Sequence, residues 1–124
     1  MEFKSFSSKG NVRKNNEDNY LLRKDPCHVI VVADGMGGHR AGDVASQMAV
    51  DFIKEYEFNL EENILEEINS LIKMINKKII KKGEDNPEYK GMGTTLSLAL
   101  IYDNKIYIGH IGDSRIYLFR EDEL

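Results

Sequence analysis

Four short segments of this 124-residue sequence hold residues whose types and spacing can do chemistry. The first is Gly10-Asn11-Val12-Arg13-Lys14-Asn15-Asn16-Glu17-Asp18. Arg13 carries the planar fork that grips two phosphate oxygens at once, and Glu17-Asp18 sets two carboxylates side by side. The second is Asp34-Gly35-Met36-Gly37-Gly38, an acid followed by three glycines in four positions. Its spacing fits neither the dinucleotide fingerprint nor the P-loop. An acid at a strand end instead suggests a hard divalent ion, with carbonyls of the glycine turn as further oxygen ligands. The third, Gly91-Met92-Gly93-Thr94-Thr95, reads as glycines entering a strand where backbone packs on backbone. The fourth, Gly109-His110-Ile111-Gly112-Asp113-Ser114-Arg115, sets another acid in a glycine turn. Taken singly, each segment is also an ordinary loop or hairpin turn.

His39 and His110 are candidate general acids or ligands, or plain polar residues near turns. No Ser-His-Asp order or Cys-His pair argues for a covalent nucleophile, and no Cys/His set has zinc spacing. The chemistry left is a carboxylate-lined site for hard divalent cations beside an arginine able to hold a phosphate. That combination implies metal-assisted phosphoryl hydrolysis.

The elements that position these residues follow from hydrophobic periodicity. Val29-Ile30-Val31-Val32-Ala33 is a β-branched run that reads as a buried strand delivering Asp34 to its carboxyl end. Tyr20-Leu21-Leu22 begins a strand that pairs with it as a hairpin through Asp25-Pro26. Residues 2–8 alternate imperfectly and are expected as a first strand; 9–19 is a loop rich in turn formers. Residues 41–56 form a helix with Ala41, Ala45, Met48, Ala49, Phe52, Ile53 and Tyr56 on one face. A second helix is expected with Asn59 as N-cap, the stripe Ile64, Leu65, Ile68, Leu71, Ile72, Ile75 and Ile79, and Gly83 at its end. Residues 94–102, 105–111 and 115–120 read as a three-stranded meander, with Asp103-Asn104 and Gly112-Asp113-Ser114 as its turns. The order is three strands, two helices, three strands: an α+β layered antiparallel sheet in one domain over residues 1–124.

Two helices shield one sheet face, yet the last strands are apolar on both sides: Ile106, Ile108, Ile116 and Leu118 against Tyr107, Ile111, Tyr117 and Phe119. Such a sheet expects a second layer. The sequence therefore reads as part of a larger fold or half of an assembly, with self-association through the uncovered sheet as one solution.

Composition narrows the partners. The content of 41% hydrophobic and 31% charged residues is that of a globular domain. The net charge of −4, with no basic stripe interleaved with aromatics, gives no reason to expect nucleic acid. No apolar run approaches the ~18 residues of a membrane span. A lone cysteine, Cys27, excludes an internal disulfide and suits a cytoplasmic location.

The four segments, in this order, resemble the N-terminal motifs of the metal-dependent PP2C-type (PPM) protein serine/threonine phosphatases. The motifs that match are Arg13…Asn16-Glu17-Asp18, Val32-Ala33-Asp34-Gly35-Met36-Gly37-Gly38-His39, Gly91-Met92-Gly93-Thr94-Thr95 and Gly109-His110-Ile111-Gly112-Asp113-Ser114-Arg115. The Met-Gly-Gly-His form is similar to the bacterial branch. The resemblance implies a PP2C-like antiparallel β-sandwich flanked by helices, of which this chain holds the N-terminal portion, the C-terminal half being absent. By the same resemblance Asp34 bridges two Mn²⁺ or Mg²⁺ ions and the Gly35 carbonyl binds one. Glu17 and Asp18 sit in or beside the metal shell, Asp113 belongs to the third ion of bacterial members, and Arg13 binds the substrate phosphate. The substrates implied are phosphoserine and phosphothreonine proteins, opposite a serine/threonine kinase. Met36 stands where eukaryotic members have a histidine proposed as general acid. The alternative is a truncated, inactive phosphatase-like module that acts by binding a partner.

Overall fold

The computed structural model describes residues 2–12, 14–38 and 40–124. Strand β1 (Asp18–Arg23) and strand β2 (His28–Met36) form an antiparallel hairpin. Helices α1 (Ala41–Glu55) and α2 (Ile64–Asp85) follow, then a 3₁₀ turn (Pro87–Tyr89). The chain closes the sheet with the two-residue strand β3 (Gly93–Thr94), β4 (Leu96–Tyr102) and β5 (Lys105–Ile111). The sheet order is β1-β2-β4-β5, antiparallel throughout, and β3 pairs with the far end of β2.

Both helices lie on one face of this sheet, α1 over β1 and β2, α2 against β5. The core is therefore made by alternate strand residues, Val29, Val31 and Ala33 with Leu96, Leu98 and Leu100. They meet the helix stripes Ala41, Ala45, Ala49 and Ile53, and Ile68, Leu71, Ile75 and Ile79. Cys27 is buried with them. Among the described residues no helix or strand covers the opposite face. Tyr20, Val32, Ile106 and Ile108 on it are between 47% and 56% exposed, as the two-sided apolar pattern of the sequence requires.

The structure corrects the sequence reading in four places. Residues 2–8 form no strand. Residues 115–120 form none either, although Arg120 makes one isolated bridge to Glu123. Gly112, at φ 108°, and a 2.8 Å bond between the Ser114 and Thr95 hydroxyls turn the chain away from the edge of β5 before it can pair. The N-cap of α2 is Asn63, whose side chain accepts the N–H of Leu65 and of Glu66. Asn59 instead closes its own turn onto the Glu61 N–H. Finally, α2 runs through Gly83 to Asp85. A Cβ at Gly83 would stand 3.0 Å from the Tyr89 carbonyl oxygen, so this glycine admits the returning 3₁₀ turn rather than ending the helix.

Arg23 ties the hairpin to the end of α1. Its Nη1 donates to the carbonyls of Ile53, Lys54 and Tyr56, at 3.2, 3.2 and 2.8 Å, and the guanidinium lies 5.1 Å from the Phe58 ring centroid. A cation on the orphan carbonyls of a helix C-terminus also complements its dipole. Replacing Arg23 with Ala is expected to cost roughly 2 kcal/mol in urea unfolding, and Lys to recover only part, because an ammonium lacks the planar guanidinium that lies at the Phe58 ring.

Tyr56 holds the α1–α2 connection: its hydroxyl donates to Glu67 Oε1 at 3.0 Å, and the same oxygen accepts the Asn59 N–H at 3.0 Å. Burial, then the bond to Glu67 and its negative charge, raise the Tyr56 phenol above its ordinary value. A proton held more tightly in the folded state stabilises fully below the ordinary tyrosine range, and the contribution is lost as pH rises through the raised value. Tyr56→Phe is thus expected to cost about 1 kcal/mol at pH 8 and progressively less above pH ~10, read from unfolding midpoints across that range.

Candidate functional site

The site forms where β2 ends and α1 begins. Gly35 is buried against the first turn of α1: a Cβ there would run into the Gly42 carbonyl and stand 2.8 Å from the Glu17 carbonyl oxygen. The reverse also holds, since a Cβ at Gly42 would stand 2.7 Å from both the Gly35 carbonyl carbon and the Met36 nitrogen, and 2.6 Å from Glu17 Oε2. Two glycines thus let the strand end and helix start touch through bare backbone. The Gly35 N–H donates to the Glu17 carbonyl at 3.1 Å, locking the entrance of β1 to the same point.

Ser46, fully buried, completes this junction. Its Oγ donates to the Glu17 carbonyl at 2.6 Å and accepts from Asn19 Nδ2 at 2.9 Å, while Asn19 also reaches Asp43 Oδ1 at 3.3 Å. Sequence reasoning passed over Ser46 and treated Asn19 only as a turn former. The available signal was a small hydroxyl residue inside the Ala41–Ala45–Ala49 stripe.

Asp34 is half-buried at the end of β2, with Asp18 directly opposite on β1. Glu17, Asp18 and Asp34 line one cleft, closed by residues 8–12, Asn15 and Asn16. Glu17 and Gly35 also line an adjoining cleft with Lys14, Asn15, Met36, Gly37 and Arg40. The backbone of Asp34 is held from the strand beside it. Its N–H donates to Thr95 Oγ1 at 3.0 Å, and its carbonyl accepts the Thr95 N–H at 2.8 Å. The Thr94 hydroxyl lies 3.1 Å from that carbonyl and 2.8 Å from the carbonyl of Thr95, sharing its single proton between them. Gly91-Met92-Gly93-Thr94-Thr95 is therefore more than backbone packing: its threonines fix Asp34.

Asp113 is exposed on the turn after β5, outside the set that lines the two clefts. It is joined to them indirectly, through its neighbour Ser114 and Thr95. Arg13 and His39 lie outside the described residues. His110 is exposed; its Nδ1 pairs with Ser97 Oγ at 3.0 Å across β4 and β5, which makes it a sheet residue here.

The donors around Asp34 are carboxylate and carbonyl oxygens, which suit a hard cation such as Mg²⁺ or Mn²⁺ in kind. Among the described residues no group of three or more His, Cys, Asp and Glu side chains converges as an ion cage, so they supply part of a shell of about six oxygens.

A family model described as protein phosphatase 2C matches residues 8–124. The chain belongs to the protein phosphatase 2C family. It is 42% identical over 123 residues to the serine/threonine phosphatase stp of Listeria innocua, covering 94% of this chain and 49% of that protein. To the protein phosphatase PhpP of Streptococcus pneumoniae it is 39% identical over 129 residues, covering 99% of this chain and 52% of that protein. The chain spans about half the length of these curated relatives. Its fold superposes on the Mycobacterium tuberculosis serine/threonine phosphatase PstP with a TM-score of 0.80 at 37% identity, covering 90% of this chain and 47% of that one. A PstP catalytic domain in complex with two manganese ions matches with a TM-score of 0.79 at 36% identity, over 92% and 49% of the respective chains. The α+β antiparallel architecture with its two helices is that of PP2C phosphatases.

The glycine junction makes a sharp prediction. Gly42→Ala is expected to cost roughly 1–3 kcal/mol in denaturant unfolding, because the added methyl meets backbone that cannot yield. Gly38→Ala, where a Cβ would meet nothing within 4 Å, is expected to stay within about 0.5 kcal/mol of wild type.

Proposed function

We propose that this chain is the N-terminal part of a PP2C-type phosphatase domain that hydrolyses phosphoserine and phosphothreonine on proteins with the help of Mn²⁺ or Mg²⁺. The observation that carries this reading is Asp34, clamped through both its N–H and its carbonyl at the end of β2, lining one cleft with Glu17 and Asp18. The names of its relatives and the manganese ions of PstP support it.

In this reading Asp34 and the Gly35 carbonyl hold the ions, with Glu17 and Asp18 at the edge of the shell and Asp113 serving a third ion. Bound ions of this kind lower the pKa of a coordinated water and offset charge on the phosphate oxygens. Arg13 grips the substrate phosphate through its fork. The glycine turn leaves the cleft floor without side chains, so a phosphate can approach backbone closely. Met36, a thioether with no proton to give, leaves the departing serine or threonine oxygen to be protonated by water. The open sheet face is covered by the remaining part of the domain, whose residues complete the ion shell. The enzyme would work in the cytoplasm on proteins phosphorylated by a serine/threonine kinase.

One observation favours a second reading, a partner-binding module without catalysis: the described residues alone gather no three ligand side chains. A second copy on the open face is the remaining variant, and sedimentation would show it as a dimer.

Mn²⁺-dependent release of phosphate from a phosphothreonine peptide, measured beside Asp34→Ala, separates these readings. The phosphatase reading expects the variant to lose at least the roughly 10–100-fold that removing a group which merely orients a metal ligand costs. Measurable phosphate release that is equal with and without Asp34, or with and without Mn²⁺, would sink it.

A further inference from the structure

Between Asp34 and the Asp113 turn runs a short chain of hydroxyls. The Asp34 N–H donates to Thr95 Oγ1 at 3.0 Å, and Thr95 Oγ1 lies 2.8 Å from Ser114 Oγ. Thr95 Oγ1 takes the Asp34 N–H on one lone pair and keeps its proton and second lone pair for the bond to Ser114, in which either hydroxyl can donate. Each bond then polarises the next in a partly buried setting. The turn is also pressed onto Thr95 by shape. Gly112 adopts φ 108°, and a Cβ on it would stand 2.7 Å from Thr95 Cγ2. Thr95 thus touches both the strand end that carries Asp34 and the turn that carries Asp113.

We propose that Thr95 is a positioning residue, whose hydroxyl couples Asp34 to the Asp113 turn through Ser114 and so sets the spacing of the two carboxylates for metal binding. The proposal rests on the metal-dependent reading given above. Valine at this position has nearly the shape of threonine but removes the oxygen, leaving the Asp34 N–H without its acceptor and Ser114 without its partner. Serine keeps the oxygen. Ser114→Ala cuts the link at its half-exposed end, where loss of folding is least expected.

The test combines amide hydrogen exchange at Asp34 with Mn²⁺ titration by calorimetry, on wild type, Thr95→Val, Thr95→Ser, Ser114→Ala and Asp34→Ala. The proposal expects the Asp34 amide of Thr95→Val to exchange at least about 10-fold faster, with Mn²⁺ affinity falling roughly 10–100-fold. Thr95→Ser should restore both, and Ser114→Ala should weaken Mn²⁺ binding several-fold while the Asp34 amide stays protected. Unchanged exchange in Thr95→Val, or faster exchange with unchanged Mn²⁺ affinity in both Thr95→Val and Ser114→Ala, overturns the positioning role. Should Thr95→Val unfold, Ser114→Ala alone decides: wild-type Mn²⁺ affinity overturns the proposal. If Asp34→Ala itself binds Mn²⁺ like wild type, the metal-dependent reading has failed, and the proposal falls with it for a separately visible reason.

Discussion

The backbone contact between Gly35 and Gly42 is the constraint on which the rest depends. A strand end and the first turn of a helix ordinarily stay a side chain apart. Here neither residue has one, so β2 and α1 meet directly, and the Glu17 carbonyl is drawn into the same point by the Gly35 N–H and the Ser46 hydroxyl. The candidate site hangs from this junction. It sets where β1 enters the sheet, which places Asp18 opposite Asp34, and it leaves the turn beyond Gly35 bare enough to form the floor of a cleft. The cost of such packing is low tolerance: a methyl at either glycine meets atoms that belong to the main chain.

Asp34 illustrates how a site is stiffened without adding side chains to it. The strand position fixes its direction, the threonines of the next strand fix its backbone on both sides, and the Ser114 turn is tied to the same Thr95. Hydrogen bonds spent on the main chain leave the carboxylate itself available to a ligand. This suits hard-ion chemistry, in which oxygen atoms must be presented and the ion's charge does the electrostatic work. Helix α1 contributes differently. Its N-cap, Arg40, has φ 71° and no side-chain cap bond, so the helix start is set by the glycine junction and not by a capping side chain.

The sheet has one satisfied face and one open one. Its helix-covered side is closed by Val29, Val31, Leu98 and Leu100, while Tyr20, Val32, Ile106 and Ile108 look outward. The same open face carries Asp18 and Asp34 at its edge, since they lie in register with Tyr20 and Val32 along the two strands. Whatever covers the apolar part of that face therefore also borders the carboxylates. That geometry joins the folding problem of this chain to its chemical one, and it agrees with relatives of about twice its length.

Much of this was legible in the residues. Period-two alternation and the Val29–Ala33 run marked the strands, the 3.6 period marked both helices, and Asp103-Asn104, both at positive φ, turned as expected between β4 and β5. The four motifs marked the family. The misses share one cause. Residues 2–8 and 115–120 have strand-like composition, yet a strand exists only if another strand accepts its hydrogen bonds, and composition does not say where a neighbour lies. Asn59 and Asn63 are equally good caps by type, as Gly83 is a good terminator; packing against the 3₁₀ turn decided that glycine. By itself, then, the sequence determined the element types, the apolar faces and the oxygen-rich chemistry, because these follow from local periodicity and side-chain identity. Tertiary structure alone decided that Thr95 holds the Asp34 backbone and that Ser46 and Gly42 lock Glu17 and Gly35 beside it, because those contacts join residues distant in the chain, and only the folded backbone brings them together.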